Sequence, residues 1–141
     1  IAHDCIIGNH VILVNSVALA GHVEIGDYGI VSGLSAVHQF VKIGAHVMIG
    51  GGAMVRKDVP PFITAAGEPL AYAGVNSVGL KRRDFSQEDI NEIQSLYRIM
   101  YQSGMNVSQA VNRIQETHGN QPVAAVILRF IENSNRGLIR K

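Results

Sequence analysis

The chain has 141 residues, of which 47% are apolar and only 16% are charged, and its formal net charge is +1. These values exclude disorder by composition, which requires low hydrophobicity and high net charge, and they show no basic footprint for nucleic acid. No apolar run approaches the roughly 18 residues of a membrane span, and the single cysteine excludes an internal disulfide and suits a reducing compartment.

The first part of the chain repeats with a period of six. Every sixth residue from Ile1 to Val55 is Val, Ile or Leu, and the residue four positions after each of these is Val or smaller. An α-helix cannot keep such a period on one face, and a single strand of this length does not occur in globular proteins. The repeat predicts a parallel β-helix, in which three hexapeptides close one triangular coil and glycine or other small residues suit the corners.

The repeat ends near Val59, because Pro60 and Pro61 remove two backbone donors from any sheet. We therefore assign residues 1–60 to β-helix coils and residues 61–85 to an irregular connector loop. We expect further coils upstream, because the chain starts in phase with the repeat and an uncapped first coil would expose a sheet edge.

Residues 86–141 change to helical periodicity and predict a three-helix unit. The first predicted helix has Ser86 as its N-cap and ends at Gly104. The second runs from about Val107 to Thr117, and the third starts at Pro122, since proline is favoured at a first helical position.

The two parts of the chain, which differ in periodicity, also differ in charge. Residues 1–55 carry one Lys or Arg against three Asp or Glu, whereas residues 56–141 carry 11 against eight. The mildly basic second part is weak support for an acidic protein partner.

Five of the six histidines lie in the repeat, all at outward or corner positions. Because residues one coil apart stack, one corner should gather His3, Asp4, Gly21, His22, His38 and Gln39. Histidine is the usual general base near neutral pH, a neighbouring carboxylate can fix its tautomer, and a glycine N–H can face an oxyanion. This set suggests acyl transfer to a hydroxyl. The alternative interpretation is that these histidines are solvated surface.

Two further groups of residues fit either a functional site or ordinary protein surface. A second column is expected to contain His10, Tyr28 and His46, which have the same stacking relation. The adjacent Arg82 and Arg83 fit either contacts to an anionic ligand or solvated charge.

Several strings in the chain resemble one known family. They are Ile-Ala-His-Asp-Cys at 1–5, Leu-Ala-Gly-His-Val at 19–23, Ala-Val-His-Gln-Phe at 36–40, Ile-Gly-Ala-His-Val-Met at 43–48, Asp-Val-Pro-Pro at 58–61, Gly-Leu-Lys-Arg-Arg at 79–83 and Arg-Gly-Leu-Ile-Arg at 136–140. Together they resemble the UDP-N-acetylglucosamine O-acyltransferases of lipid A biosynthesis, over nearly the whole chain and roughly the C-terminal half of the family's length.

The resemblance implies a left-handed parallel β-helix followed by a small C-terminal α-helical domain. It implies transfer of a 3-hydroxyacyl chain from acyl carrier protein to the glucosamine 3-hydroxyl of UDP-N-acetylglucosamine, the first step of lipid A synthesis. It also implies a cytoplasmic homotrimer in a Gram-negative bacterium, with active sites between subunits and with neither a metal nor a cofactor.

The resemblance also implies roles for particular residues. His3 matches the catalytic base, Asp4 its orienting acid and the Gly21 amide the oxyanion donor. Substrate contacts are implied for His22, His38, Gln39, Asn76 and Arg82. Met48 and Gly51 match the acyl-chain groove, where the absence of a side chain at Gly51 implies a long chain. The chain departs from the family at Val78, where a Glu is frequent.

Three alternatives remain open from the sequence. The first is a related enzyme with another acceptor or donor, either an N-acyltransferase or a coenzyme-A-dependent acetyltransferase. The second is a metal-dependent β-helix enzyme of the carbonic anhydrase type, which needs a third histidine beside His10 and His46, where the chain has Gly51. The third is a non-catalytic solenoid that serves in protein interaction.

Overall fold

Nine two-residue strands occupy the six-residue repeat in the computed structural model, which describes residues 1–141. The strands are β1 (Ile6–Ile7), β2 (Ile12–Leu13), β3 (Ala18–Leu19), β4 (Glu24–Ile25), β5 (Ile30–Val31), β6 (Ala36–Val37), β7 (Lys42–Ile43), β8 (Met48–Ile49) and β9 (Met54–Val55). Each ends on the aliphatic residue of its hexapeptide, and a turn separates it from the next strand.

The strands stack as three parallel faces. The faces contain β1-β4-β7, β2-β5-β8 and β3-β6-β9. Pairing joins residues one coil apart, so that Ile6 lies beside Glu24 and Glu24 beside Lys42. The predicted β-helix, with three hexapeptides in each coil, is confirmed.

The inward positions form the core of the β-helix. The aliphatic position is buried from Leu19 onward, and Val23, Val41 and Val47 at the small position are completely inaccessible. In the first coil, the aliphatic residues at this position are less buried. Ile1 is 74% exposed, because no residue of this chain lies above it.

The corners differ from the expectation of glycine and other small residues. Every sixth residue from Asp4 to Gly52 has a positive φ, and eight of these nine residues are not glycine. A left-handed conformation costs a residue with a side chain roughly 1–2 kcal/mol, and such conformations persist only where the surrounding structure enforces them. Because left-handed residues recur at the same phase, their side chains form columns along the corners.

The segment predicted as an irregular connector is ordered secondary structure. It contains β10 (Ile63–Ala66), β11 (Ala71–Val75) and the short helix α1 (Ser77–Arg82). Strand β10 pairs in parallel with β8 and antiparallel with β11, so this hairpin extends one face of the β-helix. Alternating burial along β10, with Ile63 and Ala65 inaccessible, closes the end of the solenoid core.

The predicted three-helix unit is present. It consists of α2 (Gln87–Gln102), α3 (Val107–His118) and α4 (Pro122–Glu132). The Ser86 side chain caps α2, and Gly104, just beyond that helix, has a φ of +76°. None of the helices combines the length and apolarity needed to cross a membrane.

Candidate active site

The centre of the candidate site is the pair His3 and Asp4 on the first coil. The left-handed backbone at Asp4 turns its carboxylate beside the preceding ring, and Nδ1 of His3 lies 2.9 Å from Oδ2 of Asp4. This hydrogen bond lowers the pKa of the Asp4 carboxyl below its ordinary value. Because an ionised carboxylate only accepts, the neutral His3 ring that makes this hydrogen bond carries its proton on Nδ1 and presents the lone pair of Nε2.

The imidazole of His3 lies directly against Gly21 on the next coil. A Cβ atom at Gly21 would stand 2.8 Å from Cε1 and 2.9 Å from Nε2 of His3, so only glycine leaves room for the ring. The Gly21 N–H makes no hydrogen bond within the chain, whereas the neighbouring His22 N–H donates to the His3 carbonyl. The residue that lies against the His3 ring therefore has a free backbone donor.

His22 completes the cluster from the second coil. Its ring centroid lies 5.2 Å from that of His3 in an edge-on arrangement, and its Nε2 lies 3.8 Å from the Asp4 carboxylate. The opposite face of His22 stacks on Phe40 at 4.6 Å. Sequence reasoning did not assign Phe40 a role, although it occupies the same corner phase as Asp4 and His22.

An open groove of about 370 Å³ begins at this cluster. It is lined by Asp4, Ile6, His22, Glu24, Phe40, Lys42 and Asn135. The only cation in this lining is Lys42, whose Nζ donates to the Asn133 carbonyl. The groove therefore offers apolar, acidic and basic groups to a ligand next to the base.

His38 and Gln39 lie on the third coil of the same corner, as their spacing predicts. Both are exposed, and neither side chain contributes to the polar contacts that link His3, Asp4 and His22. Their assignment as substrate contacts therefore remains a prediction.

The second column is a stack of rings in contact with a cation. His10, Tyr28 and His46 stack at centroid distances of 4.8 and 5.1 Å. The guanidinium of Arg83 lies 5.0 Å above the Tyr28 ring and 3.3 Å from Nδ1 of His46. Burial, and secondly the charge of Arg83, lower the pKa of His46. Arg83, the residue that follows α1, therefore attaches the end of this helix to the second column.

Asn76 and Arg82 lie at the two ends of α1. Asn76 donates from Nδ2 to the His46 carbonyl and accepts at Oδ1 from the Gly79 N–H, so it caps the helix and fastens it to the second column. Arg82 is exposed, and Val78 is 64% exposed on the same helix. The structure does not bring Asn76 or Arg82 into contact with His3.

Met48 and Gly51 lie near the end of the β-helix. Met48 is half-buried on β8, and Gly51 is exposed in the turn that follows. A Cβ atom at Gly51 would meet only ordinary contacts, the nearest being the Gly33 carbonyl at 3.6 Å. The space beside Gly51 is therefore open on the surface of this chain.

Comparison with known proteins identifies relatives of the whole chain. A family model described as UDP-N-acetylglucosamine O-acyltransferase, domain 2, matches residues 58–139. The acyl-[acyl-carrier-protein]–UDP-N-acetylglucosamine O-acyltransferase of Burkholderia lata is 47% identical to this chain. The match covers 99% of this chain and 55% of the Burkholderia protein. The chain thus spans about half the length of the curated relatives it matches.

Solved structures agree with the sequence comparison. The crystal structure of a UDP-N-acetylglucosamine acyltransferase from Bacteroides fragilis superposes with a TM-score of 0.96 at 46% identity, over 99% of this chain and 55% of that one. The Francisella novicida UDP-N-acetylglucosamine acyltransferase gives 0.96 at 39% identity, over 100% and 52%. Since the family model alone matches more than half of the residues, this chain belongs to the UDP-N-acetylglucosamine O-acyltransferase family.

Proposed function

We propose that the protein transfers a 3-hydroxyacyl chain from acyl carrier protein to the glucosamine 3-hydroxyl of UDP-N-acetylglucosamine, at the start of lipid A synthesis. The main support is the His3–Asp4 pair lying against Gly21, which combines a base, its orienting acid and a free N–H. The names of the curated relatives, which state this donor and this acceptor, agree with the proposal.

The reaction follows from the positions of three groups. Nε2 of His3 takes the proton of the sugar hydroxyl as its oxygen attacks the thioester carbonyl. The Gly21 N–H donates to the oxyanion of the tetrahedral intermediate, while the Asp4 carboxylate stabilises the imidazolium. Collapse of the intermediate breaks the carbon–sulfur bond, and the leaving thiolate takes the proton back from His3.

We propose that the protein acts as a homotrimer, with sites between subunits. His3 belongs to one corner of the triangular coil, whereas Asn76 attaches α1, and with it Arg82, to the corner of His46. These two corners face different directions on one chain. A second copy can present its α1 to the His3 corner, and Asn76 and Arg82 then contact the nucleotide sugar beside His22, His38 and Gln39.

The acyl donor contacts two parts of the chain. Met48 and the open surface at Gly51 accommodate a long acyl chain. The mildly basic second part of the chain, residues 56–141, docks the acidic carrier protein. We place the reaction in the cytoplasm, in agreement with the single, unpaired Cys5.

Product analysis tests the function directly. The protein, at the length its gene encodes, is given UDP-N-acetylglucosamine and a series of 3-hydroxyacyl carrier proteins, and the products are identified by mass spectrometry. We expect an ester at the 3-hydroxyl. An amide product or a requirement for acetyl-coenzyme A would replace this proposal with one of the related transferases, and absence of any acyl product would support an interaction solenoid.

The variant His3→Ala tests the catalytic assignment. Loss of a general base lowers the rate by about 10²–10⁴-fold, and we expect a fall in kcat/KM within this range. The matched control is His10→Asn, which changes a histidine at a different corner and should keep most of the activity. Near-full turnover by His3→Ala would refute the role of His3.

A further inference from the structure

Three potential metal ligands converge at the His3 corner. Ligand atoms from His3, Asp4 and His22 all lie within 4.8 Å of one another, and these residues form the only such group of three in the chain. Nδ1 of His3 and Nε2 of His22 lie 2.9 and 3.8 Å from the same carboxylate oxygen, Oδ2 of Asp4. All three side chains are exposed and have room to adjust.

The ligand types and distances suit a borderline divalent metal. Two imidazoles and one carboxylate are ligands that Zn²⁺ binds at about 2.0–2.2 Å. Ligand atoms at that radius in a tetrahedral site are about 3.3 Å apart, which lies between the two distances measured here. The cluster needs only small side-chain rotations to reach this geometry, and the open groove leaves the fourth position to water.

The second column is a poorer metal site, although the sequence suggested it as one. His10 and His46 are separated by Tyr28, and no carboxylate joins them in a ligand cluster. Nδ1 of His46 also faces the guanidinium of Arg83 at 3.3 Å, whose positive charge repels a metal cation. Any metal that binds this solenoid is therefore expected at the His3 corner.

We propose that His3, Asp4 and His22 bind one divalent transition-metal ion, such as Zn²⁺, and that this ion reversibly inhibits the protein. The inhibition rests on the function proposed above. A metal on Nδ1 of His3 takes the place of the proton that now points to Asp4. The neutral ring then keeps its one proton on Nε2, which can no longer accept a proton from the sugar hydroxyl. The ion acts here as an inhibitor and supplies no chemistry.

Metal binding is measured without substrates. Zn²⁺ is titrated into the gene-length protein by calorimetry, and Co²⁺ serves as a spectroscopic probe of the ligand field. We expect one ion per chain and affinity at least about tenfold weaker in Asp4→Asn and His22→Asn, each of which loses a ligand. Asn tolerates the left-handed backbone at both positions, so neither variant is expected to disturb the corner.

The matched control is His10→Asn, which makes the same exchange at another left-handed corner. It should bind Zn²⁺ as tightly as the unchanged chain. Absence of saturable binding to the unchanged chain, or equal weakening in His10→Asn and His22→Asn, would overturn the site.

A second measurement separates the site from the function. Acyl transfer by the gene-length protein is followed with and without Zn²⁺, and a chelator is then added. We expect inhibition in step with site occupancy and recovery with the chelator. Binding by a protein without acyl transfer would leave the site standing and refute the function, whereas an active protein whose rate ignores bound Zn²⁺ would overturn the inhibition.

Discussion

The chemistry at the His3 corner depends on two different backbone properties of single residues. Asp4 and His22 occupy left-handed positions, which direct their side chains into one column. Gly21, by contrast, has no positive φ and is required because a side chain there would overlap the His3 ring. The His3 corner thus depends on a left-handed backbone at Asp4 and His22 and on the absence of a side chain at Gly21.

The variant Gly21→Ala tests the requirement for space. The added Cβ would lie 2.8 Å from Cε1 of His3, and the exposed ring can move away without disturbing the core. We expect the melting temperature to change little and kcat/KM to fall about 10²-fold, as is usual when a catalytic group moves by about 1 Å. Unchanged activity would show that the position of the ring over Gly21 is unimportant.

At the scale of elements, the end of the β-helix is held to the last residues of the chain. The buried carboxylate of Asp58 accepts from the Lys42 N–H at 2.8 Å and from the Ser134 hydroxyl. The Asp58 carbonyl also accepts from the Ile139 N–H. Asp58 therefore connects β7 with two points of the segment after α4, Ser134 and Ile139.

Replacement of Asp58 should destabilise this junction. In Asp58→Ala, the Lys42 N–H and the Ser134 hydroxyl lose their acceptor, and unsatisfied groups cost about 1–3 kcal/mol each when buried. We expect the free energy of unfolding, measured in urea, to fall by about 3 kcal/mol. Asp58→Asn keeps one oxygen acceptor and should lose less; equal losses would contradict this account.

At the scale of the whole molecule, the solenoid and the helices share one core. A single cluster of 28 buried residues runs from Leu19 on the β-helix to Ile139 near the C-terminus. Tyr72 on β11 stacks with Tyr97 and Tyr101 of α2 at 4.6–5.6 Å. The Tyr97 hydroxyl donates to the Pro61 carbonyl. The β-hairpin is thus the structural link between the two parts.

This tyrosine cluster should make the fold sensitive to alkali. Burial raises the pKa of Tyr72, Tyr97 and Tyr101 above the ordinary value of a phenol. The folded state therefore favours the neutral phenols, so their contribution is complete below pH about 10 and is lost as the pH rises further. We expect the free energy of unfolding to fall steeply above that pH.

The variant Tyr97→Phe isolates the contribution of the most buried phenol. It loses one hydrogen bond, worth about 1 kcal/mol, at neutral pH. Above pH about 10, however, its stability should fall less steeply than that of the unchanged chain. Urea unfolding at a series of pH values measures both effects, and parallel curves would exclude Tyr97 as a source of the alkaline instability.

Much of the architecture could be predicted because it depends on local repetition. A hexapeptide that repeats places residues one coil apart in contact, so the stacking of His3 over Gly21 and of Tyr28 between His10 and His46 followed from spacing. Ser86 marks a helix start through a contact with a residue three positions on, and Pro122 marks one through its fixed φ. The Asp4 carboxylate could be assigned to His3 because the two residues are adjacent.

The β-helix, the three longer helices and the residues that meet at the His3 corner could thus be derived from the amino-acid sequence, since each follows from a period or from a neighbour in the chain. The hairpin and the helix of residues 61–85, by contrast, depend on long-range contacts, because β10 pairs with β8 and is buried against the open end of the core. The attachment of Asn76 and Arg83 to His46 is likewise visible only in the folded chain. These contacts join segments about 30 or more residues apart, and the local sequence of either segment does not predict the other.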